Sequence, residues 1–374
     1  MTTQVFTGAA VFDGTRLKAG AQLRVVAGRV ADAKGPGEVV KLGGGVLAPG
    51  LLDLQVNGGG GQMIDGSTDL AAIREICAVH ARLGATGILP TLITNTTAVT
   101  RNVIDAGIAA ARASVPGFLG LHLEGPHLDK RRKGAHDPSL IRPMQDEDLT
   151  LLLTAACSLP SLMVTVAPEA VTSGQLARMR AAGIICSLGH TDTGCKEAKG
   201  AIRGGATCAT HLFNAMSGLQ NREPGLVGAV LTSDIFAGLI ADGMHVDPVA
   251  MRVAMAAKPD GIFLVSDAMA TAGSDATEFW LGGRRILRHA GRLTLEDGTL
   301  AGADLSLPQA VRMMVTKVGV LPEVALAMAT SRPAACLRRA VELGHLLPGR
   351  QADMVHFDDD WALAGVWRAG ERIF

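Results

Sequence analysis

The chain has 374 residues, 48% of them hydrophobic, with a mean hydropathy of +0.28 and 35 basic side chains against 35 acidic ones. That is enough apolar sequence to bury one large core or two unequal ones, while a formal charge of zero supplies no field for nucleic acid or an anionic membrane. Tyrosine is absent and aromatics make up 3%, which argues against a stacking platform for single-stranded nucleic acid.

The N-terminus, MTTQVFTGAAVFDG, has no basic segment followed by an apolar one, and no uninterrupted apolar run reaches membrane-spanning length. Six cysteines (Cys77, Cys157, Cys186, Cys195, Cys208, Cys336) form no CxxC pair, so all six are expected to be reduced, buried thiols and the protein to be cytoplasmic. Residues 1 to about 48 are short β-like pieces separated by glycine, and GHLLPGRQADMVHFDDDWALAGVWRAGERIF at the other end has the same texture. The two ends are expected to pair into one small β-sandwich domain, residues 1–50 plus 341–374, bracketing a larger unit over 51–340.

Eight apolar, strand-like segments follow in that middle: 51–57, 86–94, 117–125, 161–169, 183–190, 205–214, 236–245 and 261–267. Helix-like stretches alternate with them at Asp69–Leu83, Ala98–Ala113, Ser173–Ala182, Thr193–Arg203 and Pro248–Ala257, with Asp304–Val318 after the eighth segment. This order predicts an α/β fold, a (β/α)8 TIM barrel whose strands are covered on both faces. A doubly wound sheet is the alternative, but no GxGxxG follows the first strand, and Gly58–Gly61 reads as a tight turn.

In such a barrel the C-terminal strand ends share one face, and four of those ends carry Glu124, His190, His211 and Asp267. Glu124 closes an apolar strand, where an unpaired carboxylate is costly, so it needs a cation or several donors. One carboxylate with two imidazoles is a catalytic zinc-type ligand set. Asp267 stands where a carboxylate can accept a proton from water and pass it on, against the structural alternative of a helix cap. Alternation along the strand makes His122 a supporting partner of Glu124. His80, His289, His345 and His356 are expected to be exposed or locally bonded; Glu169 and Asp242 read as loop or capping residues. Asp129–Lys133 reads as a solvated loop.

The pieces VLAPGLLDLQVNG, LHLEGPH, KGAH, SLGHTD, ATHLFNAM, NREPGLVGAVL, ADGMHVD, LVSDAM and LLPGRQADMV occur in order along nearly the whole chain and resemble the N-acetylglucosamine-6-phosphate deacetylases of the amidohydrolase superfamily. The resemblance implies one divalent metal ion per subunit held by Glu124, His190 and His211, with zinc the leading candidate and iron or cobalt the alternatives. It implies Asp267 as general base and acid and a protonated His136 on the acetamide carbonyl. It further implies Asn214, Ala215 and His245 as contacts to the sugar phosphate, and Arg222 as a phosphate ligand contributed across a homodimer. Where the wider superfamily carries His-x-His, this chain has Gln55-Val56-Asn57, so a second metal position is expected to be empty. Rival readings are a dihydroorotase-like or aminoacylase-like amidohydrolase, and a non-catalytic barrel.

Overall fold

The computed structural model describes residues 3–32 and 34–374. Eight parallel strands lie in sequential order: β1 (Leu51–Val56), β2 (Ala85–Ile93), β3 (Leu121–Glu124), β4 (Leu162–Val166), β5 (Ile185–Leu188), β6 (Cys208–Ala209), β7 (Phe236–Leu239) and β8 (Ile262–Leu264). Nearly every residue in them is buried, as expected of strands packed between a barrel interior and an outer ring of helices. The expected barrel is therefore present, and it closes just beyond the end of β8. There Asp267 N donates to Gln55 O at 3.1 Å, and Asn57 N to Ala268 O at 2.8 Å.

Helices α1 (Leu70–Arg82), α2 (Thr97–Arg112), α3 (Asp146–Ala156), α4 (Ser173–Ala181), α5 (Cys195–Gly204), α6 (Gly225–Leu231), α7 (Pro248–Ala257) and α8 (Leu307–Met313) follow the strands. Their starts are chemically marked. Asp69 and Thr96 cap α1 and α2, Thr172 and Gln175 form a capping box on α4, and Asp247 followed by Pro248 opens α7. The stretch expected as one helix over 304–318 is α8 followed by a π-helical turn at Met314–Val318. None of the described helices is long and apolar enough to cross a membrane.

The two ends of the chain meet in sheets. Val46–Pro49 pairs in parallel with Ala10–Phe12 on one side and antiparallel with Met354–Phe357 on the other. A second sheet comprises Thr3–Thr7, Leu23–Val26, Arg29–Ala31 and Glu38–Lys41, and Phe6, Val11, Leu23, Val25, Leu47, Met354 and Trp367 fill the core shared by the two sheets. An insertion the strand pattern did not predict follows β8. Glu278–Leu281, Arg284–His289, Arg292–Thr294 and Leu300–Ala303 form a four-stranded antiparallel sheet. Its turns at Gly282–Gly283, Ala290–Gly291 and Asp297–Gly298 each carry the positive-φ glycine that tight hairpins favour.

Not all six cysteines are buried: Cys157 is exposed and Cys195 half-buried, because both occupy helix ends, and none forms a disulfide.

The barrel seam holds a buried carboxylate. Asp53 Oδ1 accepts from Ser266 N at 3.2 Å and from Gln55 N at 3.3 Å, while its Oδ2 has no partner. Burial is the main reason its pKa rises from 3.8 to about 7. Below 3.8 the group is neutral folded and unfolded, and above about 7 it is ionised in both, so it costs the folded state progressively more across that window. Asp53→Asn should therefore gain on the wild type as pH rises from 5 to 8, by on the order of a few kcal/mol. Thermal melts of both proteins across this range provide the test; a stability difference independent of pH would show that Asp53 does not titrate there.

Candidate active site

Glu124, His136, His190, His211, Asn214, Ala215, His245 and Asp267 all line one cavity of about 170 Å³ at the C-terminal ends of the strands. Arg222 does not; it is exposed on the loop that precedes α6. A larger cavity of about 490 Å³ lies against the small β sheets and is bordered by Arg29, Arg339 and Arg350, with none of these eight residues.

Glu124 is the last residue of β3 and is buried. Its Oε1 stands 3.2 Å from His190 Nε2 and 3.0 Å from His211 Nε2, and the two ring nitrogens are 3.1 Å apart. Burial by itself would raise the Glu124 pKa, but the hydrogen bonds and charge of the two imidazoles outweigh it and hold the carboxyl well below its usual range. Burial opposes charging His211, yet Glu124 raises its pKa. His190 Nδ1 donates to Arg132 O at 2.8 Å, which turns Nε2 toward the cluster. Two imidazole nitrogens converging on one carboxylate oxygen are a donor set that fits a divalent cation, and these three residues could hold one.

His190 (φ 48°), His211 (φ 26°) and Asp267 (φ 52°) all have left-handed backbone conformations, which non-glycine residues rarely adopt. Each sits where the chain leaves a strand and must turn sharply to keep its side chain over the barrel mouth. The same turning explains why β6 ends at Ala209 although apolar sequence continues through 214: His211, Phe213 and Ala215 all have positive φ.

Asp267 lies over the seam. Its Oδ1 accepts from Asn57 Nδ2 at 2.7 Å and Gln55 Nε2 at 3.1 Å, so the other oxygen is left to the cavity. Burial, followed by the charge of Glu124, raises its pKa to about 6. Gln55 also donates to Glu124 Oε1 at 3.2 Å, so the amide stands between the two carboxylates.

His136 departs from the expected charge. Its Nδ1 accepts from Thr94 N at 3.3 Å, which puts the ring proton on Nε2, the nitrogen 4.0 Å from Glu124 Oε2. Burial and the neighbouring His190 lower its pKa to about 3. The ring is neutral and still a donor. His122 also differs from expectation: it bonds Leu54 O and Thr165 Oγ1 rather than Glu124, because it lies one layer deeper in the barrel. His80 and His356 bond backbone carbonyls. Arg131 and Arg132 in the loop after β3 pair with Asp129, Glu169 and Asp192. Asp242, read from sequence as a loop residue, accepts from the backbone of Met244 and His245 and binds His245 Nδ1 at 2.6 Å, which fixes that ring at the cavity. Its spacing of three residues from His245 was the available signal.

The amidohydrolase family model matches residues 46–373. The chain belongs to the amidohydrolase family. This amidohydrolase is 39% identical over 336 residues to an N-acetylgalactosamine-6-phosphate deacetylase of Shewanella sp. (strain ANA-3), covering 89% of this chain and 84% of the relative. It is 35% identical over 348 residues to the human N-acetylglucosamine-6-phosphate deacetylase, with 89% and 84% covered. Among solved structures, the N-acetylglucosamine-6-phosphate deacetylase of Pasteurella multocida superposes with a TM-score of 0.94 at 31% identity, covering 99% of both chains.

If the Glu124 cluster takes a cation, Zn2+ added to chelator-treated protein should raise the Tm by roughly 3–5 °C, the scale of ligand linkage in a chain of this size. His211→Ala should lose most of that rise. An undiminished rise in the variant would put the ion elsewhere.

Proposed function

We propose that this amidohydrolase hydrolyses the acetamide of N-acetyl-D-glucosamine 6-phosphate, releasing acetate and D-glucosamine 6-phosphate for amino-sugar metabolism. The observation that carries the reading is the single cavity in which a carboxylate–imidazole cluster, a second carboxylate and a neutral imidazole donor face one another. Glu124, His190 and His211 hold one divalent cation, zinc first, with iron or cobalt as alternatives. When bound, that ion polarises the amide carbonyl and makes a water more acidic.

The remaining steps belong to the chain's own side chains. Asp267, fixed through Oδ1 by Gln55 and Asn57, takes the proton of the attacking water on its other oxygen. It then gives a proton to the sugar nitrogen as the C–N bond breaks. His136 donates Nε2–H to the carbonyl oxygen while negative charge grows there; a neutral imidazole suffices for that task. Asn214, Ala215 and His245 orient the sugar phosphate, with the His245 ring held by Asp242.

Arg222 serves the neighbouring site of a homodimer. Its exposure outside its own cavity supports this, as do the exposed Leu219 on the same loop and the exposed Val249 and Val253 on α7. Thiols without a disulfide among the described residues fit the reducing cytoplasm. A second reading, the N-acetylgalactosamine epimer as substrate, is favoured by the name of the 39% identical relative. Acetate release from both epimers, with and without the 6-phosphate, decides between them. The gluco epimer should give the higher kcat/KM; no release from either would end the deacetylase reading.

Asp267→Asn should keep its metal while turnover falls by about a thousandfold or more, since the acid and base roles vanish together. Near-wild-type turnover would remove Asp267 from the chemistry. Elemental analysis of active protein should find one ion per chain, and two tightly bound ions would contradict the single site.

Arg222→Ala should weaken binding of the phosphorylated sugar. Mixed with Asp267→Asn chains under verified subunit exchange, it should regain activity, because one site of the heterodimer then combines an intact Asp267 with an intact Arg222. No recovery would mean that Arg222 does not act across the interface.

A further inference from the structure

The cavity has an apolar wall as well as a polar floor. Ile93 at the end of β2, Ala135 beside His136, Met269 two residues after Asp267, and Leu281 of the antiparallel insertion all line it and pack within one hydrophobic cluster. Leu300 of the insertion lines it too. None of these side chains has a polar atom for a sugar hydroxyl or a phosphate except the weak acceptor sulfur of Met269.

The position of the wall relates it to the scissile amide. Asn214 and His245 lie after β6 and β7, whereas Ile93 ends β2, across the barrel mouth from β6, and Met269 follows β8, the strand beside β7. A carbonyl carbon held between Asp267 and His136 carries the sugar nitrogen on one side and the acyl chain on the other. With the sugar directed toward β6 and β7, the acyl chain is directed at the wall.

The wall is also tied to the two groups that act on the amide. Ala303 N, at the end of the insertion, donates to Asp267 O at 3.0 Å, and Arg284 of the insertion donates to Ala135 O. Gly302 has φ 70°, and a Cβ there would meet Met269 Cγ and Sδ at 2.5 Å and Asp267 O at 3.0 Å. Close approach of the insertion to Met269 thus depends on glycine, and it leaves Met269 little room to move away from a longer acyl chain.

We propose that Leu281, Leu300, Met269 and Ile93 form an acyl-binding pocket, and that the two leucines of the insertion, Leu281 and Leu300, set the length of the N-acyl group that is removed. The inference rests on the deacylase reading of the site and adds the determinant of acyl specificity. An apolar pocket discriminates by roughly 10–200-fold per methylene, so shortening one of these leucines should be visible in rates.

The test measures kcat/KM of the metal-loaded enzyme for N-acetyl-, N-propionyl- and N-butyryl-glucosamine 6-phosphate. In the wild type the values should fall with each added methylene. Leu281→Ala should raise the butyryl-to-acetyl ratio at least about tenfold. Leu300→Ala, at a less buried position, should shift the ratio in the same direction even if Leu281→Ala folds poorly, and Leu300→Phe should shift it the opposite way. Ratios unchanged in folded, active Leu300 variants would overturn the acyl pocket while leaving the deacylase reading intact. No acyl release by the wild type from any of the three would overturn both.

Discussion

A carboxylate buried at the end of a strand cannot stand alone, and Glu124 is the group around which the upper face of this barrel is built. Desolvation of an isolated carboxylate costs several kcal/mol even after relaxation, and removing a partner from a buried pair costs about 3–5 kcal/mol. The chain meets that demand with His190 and His211, and both are delivered by strained, left-handed turns. The same desolvation, joined by the neighbouring His190, keeps His136 neutral, and, joined by the charge of Glu124, it raises Asp267. One electrostatic requirement thus places two rings, sets the charge of a third and shifts a second carboxyl toward a pKa suited to proton transfer near neutrality.

The seam between β1 and the end of β8 complements that cluster. Gln55 and Asn57 are neutral donors, and both direct N–H groups at the same oxygen of Asp267. Hydrogen bonds to one oxygen restrain the rotation of a carboxylate while leaving the second oxygen free to accept a proton. Below them, Asp53 ties the backbone of Gln55 to that of Ser266, so the residues that close the barrel also align the proposed proton carrier.

The eight barrel strands were legible because each is an apolar run between turn signals, and parallel strands need apolar residues on both faces. Their ends were not. Apolar sequence through 214 suggested a longer sixth strand, and only the demand to turn His211 inward cuts it at Ala209. The insertion over 278–303 has three glycine-bearing turns between its alternating runs, but a repeat of parallel strands and helices has no place for an antiparallel sheet. At the site, strand-end position was enough to single out Glu124, His190, His211 and Asp267. The neutral state of His136, the deeper layer occupied by His122 and the Asp242–His245 pair depend on burial and loop geometry, which no spacing rule encodes.

The pairing of the chain's two ends has a consequence for biosynthesis. Val46–Pro49 is an inner strand whose antiparallel neighbour, Met354–Phe357, emerges from the ribosome only after the whole barrel. Until then its free edge is an open template for adventitious pairing. The nascent chain can assemble its barrel in order, strand by neighbouring strand, but completion of the smaller sheet must wait for the end of translation. During that interval the pairing of Ala10–Phe12 with Val46–Leu47 covers only the opposite edge, so aggregation at the open edge is held off by how quickly the last strands arrive.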